Sequence, residues 1–209
     1  MCVAIVKMSD VAPPTTEVLR ACWFANPHGG GVAWREGEGS DAKLVMVKGL
    51  MTLEDFLEVA AQVPENSAAL YHTRIVSVGK VCEEQTHPFY TNQSETEVLV
   101  HNGTYRITPY AGMSDTQTVA EYCMTLSFAD RTKYIDKITR EAYCRTATLS
   151  KKGSLIIYGN WTKIDGLYFS NTFWKNYLAT NSRRLPWVDE DTYYADDHTY
   201  FWREGGVER

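Results

Sequence analysis

Short apolar runs alternate with amphipathic stretches along the chain. Residues 2–8, CVAIVKM, form an apolar, β-prone run that predicts a buried first strand. Behind the breaker Pro13-Pro14, the stretch from Thr16 to Phe24 predicts a short helix. Gly29-Gly30-Gly31 lead into Val32-Ala33-Trp34, a strand, and Leu44 to Val47 is its hairpin partner across the turn-rich segment from Gly37 to Asp41. Leu53, Phe56, Leu57 and Ala60 then recur at helical spacing behind a Thr52/Asp55 capping pattern, and Pro64 ends that helix.

Two more apolar runs, Ala68 to Tyr71 and Val98 to Val100, predict strands, each ending in a polar cluster, HTR and HNG. Ser114 with Gln117 makes a second capping box, and Val119, Cys123 and Leu126 give the helix it opens one apolar stripe. A further helix is predicted from Asp130 to about Tyr143. Leu155 to Tyr158 and Gly166 to Phe169 return to strand character, paired through turns containing Gly153, Gly159 and Asp165-Gly166, with Lys151-Lys152 at a hairpin tip. Strand and helix do not alternate strictly, so a layered α+β fold is expected rather than a doubly wound sheet.

Composition narrows the class. The 209 residues, 44% hydrophobic and 22% charged, are those of a globular chain with one domain over residues 1–180 and an extension over 181–209. That extension holds seven acids and four arginines from Ser182 onward, together with Trp187, Tyr193, Tyr194, Tyr200, Phe201 and Trp202, and is expected to pack on the domain. A net charge of -5 argues against a nucleic-acid footprint. With no membrane-length apolar run and no signal-peptide pattern, the expected location is the cytoplasm, with no membrane partner. The cysteines Cys2, Cys22, Cys82, Cys123 and Cys144 are irregularly spaced, with no CxxC pair, so no metal site is indicated.

Cys2 is open to two readings. It is either the second residue of a buried strand or, once Met1 is removed, a residue carrying both a thiol and a free α-amine, a nucleophile with its own base. Position alone does not separate them. Behind it stand HTRIVSVG at 72–79, THPF at 86–89, HNGTY at 101–105 and MSDTQTVAEY at 113–122. Each is short and has an ordinary alternative: HNG by itself reads better as a β-turn and Asp115 as a helix-dipole or capping residue, while Arg74 is open to reading as a surface ion pair and Ser77 as a solvated turn serine.

In this order, however, the motifs resemble the glutaminase domain of the class II glutamine amidotransferases, among the N-terminal nucleophile hydrolases. The resemblance covers residues 2–178 or so and extends to ANPHGGGVAW at 25–34, which is similar to the stand-alone members. It implies a four-layer αββα sandwich, no cofactor, and attack by Cys2 on the side-chain amide of glutamine through a γ-glutamyl thioester, releasing ammonia. Asn102 and Gly103 are the expected oxyanion donors. Arg74 is expected to grip the substrate carboxylate, Asp115 its ammonium, and Ser77, where the family has threonine, to offer a hydroxyl. His87 is expected to shape the pocket floor, while His72 and His101 are hydrogen-bonded strand-end histidines.

The chain departs from the sugar-forming members at Ile75 and Val78, which stand in place of Trp and His, and from the stand-alone members at His28, in place of an acid. Three functions follow: a glutaminase serving a separate ammonia-accepting synthetase, a stand-alone γ-glutamyl amide hydrolase acting on a small peptide or conjugate, or a catalytically silent binding or regulatory protein on the same fold.

Overall fold

The structure of the chain is a computed structural model that describes residues 2–37 and 39–180; the expected aromatic and acidic extension, 181–209, lies outside the described residues. Ten strands and four α-helices follow in the order β1 (Val3–Lys7), α1 (Thr16–Ala25), β2 (Gly30–Glu36), β3 (Lys43–Leu50), α2 (Leu53–Ala60), β4 (Ala69–Thr73), β5 (Phe89–Tyr90), β6 (Glu97–Asn102), α3 (Asp115–Cys123), α4 (Phe128–Glu141), β7 (Arg145–Ser150), β8 (Leu155–Tyr158), β9 (Thr162–Ile164) and β10 (Leu167–Phe169). A short 3-10 segment, Phe173–Thr180, closes the described chain.

The strands form two antiparallel sheets, one ordered β3-β2-β4-β1-β10-β9 and the other β5-β6-β7-β8. Their side chains sort by the two-residue period of a strand. On β1, Val3 and Ile5 join Leu19, Cys22, Trp23 and Phe56 in a core against α1 and α2. Ala4 and Val6 turn to the opposite face, where with Ala33 and Leu70 they meet Val98, Val100, Ala147 and Leu149 of the second sheet. Leu99 of β6 faces the far side, in a third core with Val119, Cys123, Ile135 and Ile138 of α3 and α4. Three cores thus sit one behind another, and the ends of β1, β4 and β6 meet across the middle one.

Helix positions follow from caps and packing. Thr52 Oγ1 accepts from the Asp55 N–H at 3.2 Å, and Ser114 Oγ accepts from the Gln117 N–H at 3.1 Å, as the capping patterns predict. A cap contributes ~1 kcal/mol, less than the ~1.5–3 kcal/mol of burying one large apolar side chain, so Phe56, fully buried against Trp23, anchors α2 more than Thr52 does.

Several boundaries differ from expectation. Ser127, whose Oγ accepts from the Asp130 N–H, starts α4 at Phe128 rather than Asp130, and the helix ends at Glu141. Leu126 lies beyond α3, which stops at Cys123. Residues 155–158 and 167–169 do not pair with each other: β8 pairs with β7 in one sheet, while β10 pairs with β1 and β9 in the other. Strands β5, β7 and β9 go unsignalled in the sequence. The Lys151-Lys152 turn does connect a hairpin, with Gly153 at φ 84°.

Candidate active site

Strand parity brings the sequence motifs together. Residues 2, 4 and 6 share the β1 face that looks at the second sheet, so the thiol of Cys2 emerges on the inter-sheet side at the start of β1. Leu70, His72 and Arg74 share the corresponding face of β4, and Val98, Val100 and Asn102 look back from β6. A small cavity results, lined by Cys2, Arg74, Ser77, His87, Gly103 and Asp115, with Ile75, Val78, His101, Ser114 and Thr116 completing its wall. Six of the seven residues expected at a site therefore share one cavity, and Asn102 directly precedes the Gly103 that lines it.

Cys2 is 9% exposed, and its Sγ lies 3.4 Å from both the N–H and the carbonyl of Ile75. Burial pushes its thiol up, against the Ile75 hydrogen bond and the positive charge of Arg74. The sulfur is therefore held as a thiol rather than a preformed thiolate. Its backbone is held as well: Asn171 Nδ2 donates to the Cys2 carbonyl at 2.6 Å.

The ordinary alternatives do not describe HNG or Arg74, whereas Ser77 is an exposed serine in a bend and Asp115 is an acid in the first turn of a helix, as their ordinary readings have it. HNG is not a two-residue hairpin, because β6 pairs with β7, which follows only after α3 and α4. Asn102 ends β6 and is 1% exposed, its Nδ2 donating to Ser170 Oγ at 3.0 Å while its buried Oδ1 has no hydrogen-bond partner among the described residues. Gly103 follows at φ 137°, and a Cβ there would come within 2.5 Å of Cys144 Cβ, so glycine is required on both counts.

The cap of α3 is Ser114, and Asp115 occupies the first helical position, where a helix dipole favours an acid; it is 5% exposed, its Oδ2 accepting from the Tyr105 N–H at 2.7 Å. Burial raises its carboxyl pKa, opposed by backbone N–H groups and by the charge of Arg74. Arg74 is 3% exposed, no surface ion pair. Its guanidinium donates to the carbonyls of Lys80 and Val78 and, at 3.1 Å, to Gln85 Oε1.

Ser77 is on the rim, its Oγ 3.3 Å from Thr104 Oγ1. His28, at the departure from the stand-alone pattern, accepts from the Val76 N–H through Nδ1 at 3.1 Å and so braces the segment after Arg74.

Three histidines lie beneath this arrangement. His72 donates through Nε2 to the His101 carbonyl at 3.0 Å, His101 Nδ1 meets Thr116 Oγ1 at 2.8 Å, and His87 packs on His72 with ring centroids 3.9 Å apart. Burial lowers His72 and His101 to about 3 and His87 well below its ordinary value, so all three are neutral at physiological pH. Among the described residues, no three or more His, Cys, Asp or Glu side chains are placed to hold a metal ion, and no helix is long and apolar enough to cross a membrane.

Sequence reading missed Gln85, Ser170 and Asn171. Gln85 ties the Arg74 guanidinium and the Lys80 N–H to the Gly112 carbonyl through its two amide atoms. Ser170 sits one residue past β10, and only a two-residue period continued past the strand end would have put it on the Cys2 face.

A larger cavity of about 160 Å³, lined by Met46, Lys48, Phe89, Tyr90, Gln117 and Met124, holds none of the expected site residues. Burial lowers Lys48 there to about 8, but its Nζ already donates to the Glu84 carbonyl and lies over the Phe89 ring, and no nucleophile faces it. The smaller cavity is the better candidate on chemistry, although its free volume of about 10 Å³ is the room of one water.

No protein-family model and no curated protein matches the sequence. Solved structures do match the fold. Glutamine phosphoribosylpyrophosphate amidotransferase from B. subtilis, complexed with ADP and GMP, superposes with a TM-score of 0.57 at 16% identity over 86% of this chain and 44% of its own. A structure of the allosteric regulatory enzyme of purine biosynthesis gives a TM-score of 0.53 at 15% identity over 86% of this chain and 43% of its own. The chain thus spans less than half the length of either neighbour, and the likeness is one of fold.

Proposed function

We propose that this chain is a glutamine amidotransferase-type hydrolase with an N-terminal cysteine nucleophile, its two sheets and outer helices forming the four-layer αββα sandwich of that class. The observation that carries the reading is the convergence of Cys2, Arg74, Ser77, His87, Gly103 and Asp115, distant in sequence, on one cavity. The fold likeness to a glutamine amidotransferase supports the same chemistry. The domain comprises residues 1–180, with the chain in the cytoplasm and the ammonia used by a separate synthetase.

With Met1 removed, the α-amine of Cys2 accepts the thiol proton as Sγ attacks the side-chain carbonyl carbon of glutamine. The carbonyl electrons move to oxygen, which Asn102 Nδ2–H and the Gly103 N–H stabilise. As the C–N bond breaks, the ammonium returns its proton to the leaving nitrogen and ammonia departs, leaving a γ-glutamyl thioester. Water then adds, its proton passing to the same amine, and C–S cleavage restores the thiol and releases glutamate.

Arg74 pairs with the substrate carboxylate and Asp115 with its ammonium. The cavity holds only about 10 Å³, so glutamine is admitted when the segment after Arg74 shifts and its carboxylate replaces the Val78 and Lys80 carbonyls on the guanidinium. On this reading Arg74→Ala raises KM for glutamine by ~100-fold or more while kcat falls less, because a charge-assisted bidentate contact is lost from the ground state and the transition state alike. Steady-state ammonia release checks it; an unchanged KM refutes the clamp.

The pH profile separates the amine from the histidines. An α-amine titrates at ~7.7–8.0, and only its neutral form accepts a proton, so kcat/KM should rise with pH through that range and fall about tenfold per unit below it. His72 and His101, at about 3, and His87, well below its ordinary value, stay neutral throughout. A kcat/KM that stays flat from pH 6 to 9 would contradict the amine as base.

A further inference from the structure

The residue after β10 connects the two halves of the proposed catalytic apparatus. The register Ile5↔Phe169 and Val6↔Tyr168 places Ala4 opposite Ser170. There the Ser170 N–H donates to the Ala4 carbonyl at 2.9 Å, while the Ala4 N–H donates at 2.8 Å to Ser170 Oγ. The hydroxyl thus completes the end of the strand pair two residues from the nucleophile. The same Oγ accepts from Asn102 Nδ2 at 3.0 Å across the gap between the sheets, and Ser170 is 2% exposed.

An asparagine amide has two N–H bonds on one nitrogen and can rotate about χ2. An acceptor fixed on one N–H fixes the direction of the other. Among the described residues the buried Asn102 Oδ1 has no hydrogen-bond partner, so there the Ser170 bond is the constraint on this side chain. Asn171 continues the device from the adjacent position: its Nδ2 donates to the Cys2 carbonyl at 2.6 Å and its Oδ1 accepts from the Phe173 N–H at 3.0 Å.

We propose that Ser170 is a positioning residue for the oxyanion donor: its hydroxyl, anchored on Ala4 of the nucleophile strand, holds the Asn102 amide with its second N–H aimed at the oxygen of the tetrahedral intermediate, while Asn171 fixes the Cys2 main chain. The proposal rests on the Cys2 amidohydrolase reading. Ser170 acts through Asn102 and touches no reacting atom. Its effect therefore belongs to the transition state and falls on kcat, with KM for glutamine left to Arg74 and Asp115.

The test is glutamine turnover by the processed full chain as wild type, Ser170→Ala, Ser170→Cys, Asn102→Ala and the double variant Ser170→Ala/Asn102→Ala, with thermal unfolding of each. Ser170→Cys keeps the side chain's size but offers only a weak acceptor, so it covers the case in which Ser170→Ala does not fold. The expected result is a ~10-fold or larger fall in kcat for the folded Ser170 variants, with KM within about twofold of wild type. In the Asn102→Ala background the serine substitution should change kcat by less than about twofold, because its target is already gone.

A folded Ser170 variant with wild-type kcat overturns the positioning role, as does a serine effect of the same size with and without Asn102, which marks a merely structural residue. A wild-type chain with a free Cys2 amine and no turnover removes the amidohydrolase reading itself, and the proposal with it.

Discussion

Cys2→Ala is expected to leave no measurable glutamine hydrolysis while the protein stays folded. The substitution removes the one sulfur that, among the described residues, lines the cavity shared by Arg74, Gly103 and Asp115. No other thiol is placed to replace it. Cys22, Cys123 and Cys144 are buried in the cores, where burial raises their thiol pKa values, Cys123 to about 12 and Cys144 to about 11. Cys82 is half-buried and does not line the cavity. Alanine gives up only a single sulfur at the start of β1, and the Cys2 carbonyl keeps its bond from Asn171, so the unfolding temperature should move by no more than a few degrees. Ammonia release together with thermal unfolding checks both halves. Residual turnover in a folded Cys2→Ala protein would move the nucleophile elsewhere.

If Asn102 is the oxyanion donor proposed above, Asn102→Ala should lower kcat by ~100-fold or more, or ~2.7 kcal/mol of transition-state stabilisation. The effect is large because the amide is buried: a donor held in place at 1% exposure acts where water cannot substitute for it. Asn102→Asp is an informative companion, since it keeps the shape and replaces the donating N–H₂ with an acceptor carrying negative charge. It should be at least as damaging as alanine, whereas a purely steric role would let it pass. Initial-rate measurements with glutamine, accompanied by unfolding curves, distinguish the two.

The motifs were legible in the sequence because each sits at the end of an element that the apolar pattern marks. HTR follows the β4 run and HNG the β6 run, while Asp115 comes one residue after a capping serine. What placed them together was the two-residue period of β1, β4 and β6, which sends alternate side chains into the space between the sheets. Strand β7 escaped notice because its buried positions include Thr146, Thr148 and Ser150, with only Ala147 and Leu149 reading as apolar. Those hydroxyls are buried with partners: Thr146 Oγ1 lies 2.6 Å from Tyr105 Oη and 2.8 Å from Thr139 Oγ1.

Ser170 and Gln85 were hidden for a related reason. Each supports a site residue through hydrogen bonds, Ser170 to Asn102 across 68 positions of chain and Gln85 to Arg74 across 11, and no local pattern records such a partnership. The engagement of Arg74 by the Val78 and Lys80 carbonyls was equally invisible, since it depends on the path of the loop that carries them.

On the proposed mechanism Cys2, bearing its own free amine, becomes acylated by a γ-glutamyl group. Intact-mass measurement during glutamine turnover, with hydroxylamine to capture the thioester and peptide mapping after labelling by a chloroketone analogue of glutamine, decides whether it does. The predicted result is a mass lacking Met1, formation of γ-glutamyl hydroxamate, and a single adduct on Cys2 that glutamine protects against. Equal turnover by protein that retains Met1, or a glutamine-protected adduct on any other residue, would contradict it.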